Sequence, residues 1–175
     1  MKLKKILLIP NVLTILRILA SPIFFILLLK SKIILGLTVF LIVALTDWVD
    51  GFVARRIKQR TKFGEFLDPM ADKFMVTLAV IALIIGFNFP LYGLLIFSRD
   101  IISLCGSLLA HIKRKAVWKA SKLGKVTTFL QVVVIASFII NYQFKDFLLA
   151  ATIILSLLTT IQYFMIGVKM IKSSK

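Results

Sequence analysis

Asp47-Trp48-Val49-Asp50-Gly51-Phe52-Val53-Ala54-Arg55, then eight residues, then Gly64-Glu65-Phe66-Leu67-Asp68-Pro69-Met70-Ala71-Asp72: this stretch decides how the chain is read. The chain has seven acidic residues. Asp47, Asp50, Glu65, Asp68 and Asp72 fall inside the stretch, and only Asp100 and Asp146 lie elsewhere. Long apolar runs flank it on both sides. Carboxylates at the edge of a membrane are costly to place and mark a functional site by default.

Spacing sharpens the point. Asp47, Asp50, Gly51, Ala54 and Arg55 share one stripe of a helix, and Gly64, Asp68 and Asp72 share one stripe of a second. Packed as antiparallel neighbours, the two helices bring four carboxylates together with small residues between them. Four such groups repel in a low dielectric unless cations lie between them. Two divalent ions bridged by shared carboxylates, with a diphosphate across them, satisfy that geometry. Gly51 and Ala54 leave room for a ligand to approach the backbone. The plainer reading is a set of buried ion pairs holding two helices together, but no bases on the same stripes could neutralise four acids.

The pattern D-x-x-D-G-x-x-A-R-x8-G-x-x-x-D-x-x-x-D resembles the signature of the CDP-alcohol phosphatidyltransferases, and all eight of its fixed positions are filled here. Two further runs extend the resemblance. Pro10-Asn11-Val12-Leu13-Thr14-Ile15-Leu16-Arg17 is similar to the P-N-x-L-T-x-x-R opening of phosphatidylglycerophosphate synthases and their cardiolipin-synthase relatives. Gly124-Lys125-Val126-Thr127-Thr128-Phe129-Leu130-Gln131 is similar to the G-K-x-K-T-x-x-Q run of the former, with Thr127 in place of its second lysine. Arg99-Asp100 stands where those synthases usually carry Arg-Glu, and both departures lean toward cardiolipin synthases.

The resemblance implies a CDP-activated lipid donor, a hydroxyl acceptor and two divalent cations, Mg or Mn. Asp47, Asp50 and Asp68 would hold one cation, and Asp47, Asp68 and Asp72 the other. Asp72, last on its stripe, would be the general base. Arg55 would contact a phosphate. Gly51, Ala54, Thr61 and Gly64 would shape the nucleotide pocket, with Asn11 and Thr14 also on the CDP-lipid side. Arg17, Arg99, Lys122 and Lys125 are candidates to hold a phosphate-bearing acceptor. The leading acceptor is sn-glycerol 3-phosphate, giving phosphatidylglycerol phosphate and CMP. Phosphatidylglycerol, inositol or inositol phosphate are the alternatives within the family, and a cation transporter is the non-enzymatic one. A homodimer is expected.

Composition fits this frame. Hydrophobic residues make up 60% of the 175 and mean hydropathy is +1.01, above the roughly half-apolar composition of soluble domains. A span needs about 20 apolar residues, so the expected architecture is a single all-α membrane domain over residues 1–175. It has six transmembrane helices and a short basic amphipathic interfacial helix at the N-terminus, Met1 to Pro10. The spans run from about Asn11 to Leu29, Ile33 to Thr46 (continuing as helix to about Lys58), Pro69 to Phe87, Pro90 to Ile112, Gly124 to Asn141 and Phe147 to Val168. Arg99 and Asp100, adjacent in sequence, should not face each other along a helix and should each find a partner elsewhere. Cys105 is expected to be a packing residue.

The net charge of +16 follows from topology. Basic residues gather at the start, at Arg55 to Lys62, at Lys113 to Lys125 and in the tail, while Lys30, Lys32 and Lys145 mark the other side. The positive-inside rule places both termini and the motif in the cytoplasm, in a chain integral to the cell membrane and touching anionic lipid. No aromatic-basic interleaving points to nucleic acid.

Overall fold

The computed structural model describes the backbone of residues 9–57, 62–103, 105 and 121–172, and the side chains of 14–46, 70–103, 105, 121 and 123–167. Among these there are α-helices and one 3-10 helix, and no strand. The helices are α1 (Ile9–Leu29), α2 (Ile33–Ile57), α3 (Lys62–Gly86), a 3-10 segment (Leu91–Phe97) that continues as α-helix over 98–103, α4 (Lys122–Ile139) and α5 (Lys145–Lys172). They group into two compact units, Met1–Phe89 and Pro90–Lys175.

In the first unit α1 packs on both α2 and α3. Its buried residues are Thr14, Arg17, Ser21, Phe24 and Leu28, spaced alternately by three and four. That spacing draws one stripe along the helix, polar at its start and apolar at its end. Phe24 meets Phe40 of α2 edge to face, with ring centroids 5.5 Å apart. Ala71, Ala79 and Ala82 line the buried side of α3, and small residues there let helix backbones approach. Gly36 of α2 serves the same end: a Cβ there would come 2.7 Å from the Leu28 side chain.

In the second unit α4 packs on α5, and α5 on the 3-10 segment. On α5 the buried residues are Leu149, Thr152, Ser156, Thr159 and Tyr163, whereas Ile154, Leu157, Leu158, Ile161, Phe164 and Met165 are exposed. Hydroxyls face in and large apolar groups face out. This reverses the order of a soluble helix and suits a solvent of lipid, where polar groups must be satisfied inside the bundle. Of the described helices one, over Lys145–Gly167, is long and apolar enough to cross a membrane, and Thr14–Leu29, Ile33–Thr46 and Leu123–Ile139 are shorter apolar stretches.

Two connections are closed by the same device. Lys32 N–H bonds Leu27 C=O at 2.9 Å and Ser31 N–H bonds Leu28 C=O at 3.0 Å, with Ser31 at φ 57. Tyr142 N–H bonds Ser137 C=O at 2.8 Å and Asn141 N–H bonds Phe138 C=O at 3.1 Å, with Asn141 at φ 52. Both are Schellman caps with a left-handed residue just past the helix. Lys145 adds a 2.5 Å bond to the Asn141 carboxamide oxygen.

Several expectations change. The span expected to begin at Pro69 belongs to a helix that begins at Lys62, with Pro69 inside it. Proline removes one backbone donor, which a 25-residue helix absorbs. The break at Asn88-Phe89-Pro90 is where it was expected, with Asn88 at φ 50. The helix after it, however, opens as 3-10, its first turn closed by Gly93 N–H on Pro90 C=O at 2.8 Å. Cys105 is exposed, so it is not a core packing residue. The interfacial segment before Ile9 lies outside the described residues.

Phe24 is fully buried. Phe24→Ala should therefore cost about 3–5 kcal/mol, read as a lower thermal unfolding midpoint of the detergent-solubilised protein.

Candidate active site

The motif straddles α2 and α3. Asp47, Asp50, Gly51, Ala54 and Arg55 lie in the C-terminal part of α2, and Gly64, Asp68 and Asp72 in the N-terminal part of α3. The backbone thus carries each group on one helix, as the spacing requires. The side chains of these residues other than Asp72 lie outside the described residues, as do those of Asn11 and Lys122 and the whole of Thr61.

Asp72 anchors what can be seen. Arg17 of α1 donates from Nη1 to Asp72 Oδ1 at 2.6 Å, across 55 positions of sequence. The Arg17 side chain is 1% exposed and that of Asp72 is 38% exposed. A guanidinium stays charged at any ordinary pH, and burying one is costly unless it is paired. Arg17 was expected to be an acceptor contact, and the structure places it on the last carboxylate of the motif. Thr14, one turn earlier, is buried on the same stripe, and Ser21 Oγ, one turn later, donates to the Arg17 carbonyl at 2.7 Å. Beside the pair lies an apolar groove of about 180 Å³ lined by Ile18, Met70, Ala71 and Phe74.

The second unit holds a separate polar network. Arg99, buried, donates from Nη1 to the Gly124 carbonyl and from Nη2 to Asp100 Oδ1 and, at 3.0 Å, to Thr128 Oγ1. Gln131 Nε2 donates to Asp100 Oδ2 at 3.0 Å and to the Ile96 carbonyl at 2.7 Å. Ser156 Oγ donates to that same carbonyl at 2.8 Å. Arg99 and Asp100 do contact each other, contrary to the expectation from helix geometry. They sit just past the 3-10 segment, and the long Arg99 side chain turns toward α4 and reaches the Asp100 carboxylate as well as the Gly124 carbonyl. Each also has its partner on α4, as expected.

The effect is to fix the first turn of α4. Ser121 caps it, accepting from Gly124 N–H at 3.0 Å, and Ser121 N–H donates to the Tyr163 hydroxyl at 3.1 Å. A Cβ on Gly124 would lie 2.3 Å from that hydroxyl, so a larger residue there would force the Tyr163 side chain to shift. Lys125 is exposed on this turn. Thr127, where related sequences carry lysine, is fully buried and shares a 3.1 Å bond with Thr159.

Residues 7–164 match the CDP-alcohol phosphatidyltransferase family. The chain belongs to this family. Among its relatives is the Bacillus subtilis CDP-diacylglycerol–glycerol-3-phosphate 3-phosphatidyltransferase, 28% identical over 94% of this chain and 97% of the relative. The Aquifex aeolicus protein of the same name is 32% identical over 93% and 97%, and that of Wigglesworthia glossinidia brevipalpis 32% over 91% and 94%. Sequence reading placed Gln131 in a motif run without its partners, and missed Ser156, Thr159 and Tyr163. The buried hydroxyl stripe of α5, spaced four, three and four from Thr152 to Tyr163, was the signal available.

Gly124→Ala should lower the unfolding midpoint by the equivalent of about 1–3 kcal/mol, the usual cost of overpacking. Adding Tyr163→Phe, which removes the hydroxyl in the way, should recover part of that loss in the same melting measurement.

Proposed function

We infer that this chain transfers the phosphatidyl group from CDP-diacylglycerol to sn-glycerol 3-phosphate, releasing CMP and phosphatidylglycerol phosphate, a step of phospholipid biosynthesis. The observation that carries this reading is similarity along nearly the whole chain to relatives that bear that name. Their acceptor is glycerol 3-phosphate, which favours it over phosphatidylglycerol or inositol despite Thr127 and Asp100.

The motif supports the chemistry. The acceptor hydroxyl oxygen attacks the phosphorus that carries the diacylglycerol, the bond from that phosphorus to the CMP oxygen breaks, and the hydroxyl proton passes to Asp72. An all-carboxylate donor set suits hard divalent ions such as Mg or Mn. A carboxylate has about four lone-pair sites, so the part-exposed Asp72 can accept from Arg17 and still face a cation. When bound, two such ions held by Asp47, Asp50, Asp68 and Asp72 neutralise the diphosphate and the departing CMP. Arg55 grips a phosphate. Gly51, Ala54, Thr61 and Gly64 border the nucleotide, with Asn11 and Thr14 on the same side. The groove of Ile18, Met70, Ala71 and Phe74 suits the lipid portion of the donor. Lys125 and Lys122 are the acceptor contacts, with Arg99 holding their turn in place.

The same reading makes the chain a six-span protein of the cytoplasmic membrane, working as a homodimer, with both termini and the motif facing the cytoplasm. It rests on the inward hydroxyls and outward apolar faces, and on lysines 30, 32 and 145 standing apart from the other basic clusters.

A purified-protein assay with labelled CDP-diacylglycerol and a panel of acceptors tests the function. Glycerol 3-phosphate should be the best acceptor, excess chelator should abolish turnover, and Mg or Mn should restore it. Asp47→Asn and Asp68→Asn should be the most damaging substitutions, about 10²-fold or more if each touches both ions. Preference for phosphatidylglycerol, or full turnover in chelator, would refute it. Orientation is checked by labelling Lys30→Cys and Lys145→Cys in whole cells, where an impermeant reagent should reach both from outside.

A further inference from the structure

We propose that Arg17 is the resident counter-charge of the carboxylate cluster, a positioning residue that holds Asp72 and shares it with the divalent cation. The proposal rests on the reading of Asp72 as a cation ligand, and adds a role for α1 that the motif on α2 and α3 does not contain.

Three observations carry it. First, Arg17 is buried in the middle of α1, and its Nη1 lies 2.6 Å from Asp72 Oδ1. The guanidinium's donor is aimed at that carboxylate, so its charge acts directly on the last acid of the motif. Second, α1 packs against both helices that carry the motif, so the charge enters from a third side. Third, the burial is one-sided. The arginine is enclosed while Asp72 keeps 38% of its side chain exposed, as a carboxylate held from behind and approached from in front would be.

Holding and competing are two faces of the same contact. The guanidinium fixes the carboxylate's orientation before any cation arrives, and limits the repulsion among four clustered acids. The same positive charge opposes the cation on Asp72. Arg17 therefore weakens cation binding while it keeps the ligand in place. A residue that grips the acceptor phosphate would do neither. One that only packs the helices would show no charge effect.

The test uses the full-length protein in detergent, with Mn²⁺ binding read by electron paramagnetic resonance and unfolding midpoints taken with and without Mn²⁺. Binding of Mn²⁺ by the unaltered protein, lost in Asp68→Asn, tests the underlying cation site separately. Arg17→Gln should bind Mn²⁺ on the order of tenfold more tightly, because a nearby opposing charge is gone. It should also melt lower without the metal, gain more from adding it, and lose turnover with an unchanged Michaelis constant for glycerol 3-phosphate. Arg17→Lys should restore Mn²⁺ affinity to near the unaltered value. Unchanged Mn²⁺ affinity with a raised glycerol 3-phosphate Michaelis constant would overturn the proposal and make Arg17 an acceptor contact. Weaker Mn²⁺ binding in Arg17→Gln would overturn it too. Should Arg17→Gln fail to fold, the double variant Arg17→Gln/Asp72→Asn is compared with Asp72→Asn alone. The double should melt higher without metal, since the single strands a buried guanidinium, and a lower midpoint for the double would overturn the pairing.

Discussion

A polar group drawn into an apolar helix bundle must find its partner inside the bundle, and the rest of this structure is arranged around that requirement. Much of it is met locally. Thr38, Thr46, Thr128, Thr152 and Thr160 each turn a hydroxyl back onto the carbonyl four residues earlier, between 2.7 and 3.0 Å away. Such bonds satisfy a donor with no second helix involved. Charges and carboxamides cannot be satisfied this way, and they tie helices together alongside a few hydroxyls such as Ser156 and the Thr127–Thr159 pair. Arg17 joins α1 to α3. Gln131 joins α4 to the 3-10 segment and to Asp100.

The Ile96 carbonyl shows how local backbone and tertiary packing fit one another. It lies next to the change from 3-10 to α-helix, and it accepts from Gln131 and from Ser156. A carbonyl has two lone pairs, and here α4 and α5 each supply a donor. A seven-residue 3-10 run is longer than such helices usually are. Nothing in Leu91–Phe97 itself, an apolar run with one glycine, distinguishes 3-10 from α. What anchors the geometry lies 35 and 60 positions away in sequence, which is why reading along the chain placed an ordinary helix there.

Where the determinants are local, the sequence was legible. Apolar periodicity and the Asn88-Phe89-Pro90 break located the helices, and acid spacing located the motif on one face of each of two helices. Helix starts were less legible. Pro69 opens the expected third span, yet the helix that contains it begins at Lys62 and carries Gly64 as well as Asp68 and Asp72. Arg17 was visible as a polar residue on a face unfit for lipid, but its partner was not. The pairing with Asp72 depends on how α1 and α3 pack, and no local pattern encodes that. Thr127 is the converse case. Read against the motif it resembles it was a missing lysine, whereas in the fold it is a buried contact with Thr159.

The two buried arginines solve one problem in opposite ways. Arg99 pairs with the next residue, so the charge is cancelled within a single helix, and its remaining donors fasten the first turn of α4. Arg17 pairs with a residue whose sequence neighbours on the motif are also acids. Arg17 instead reaches across 55 positions of sequence to a part-exposed carboxylate on another helix, so its pairing depends on how α1 and α3 pack.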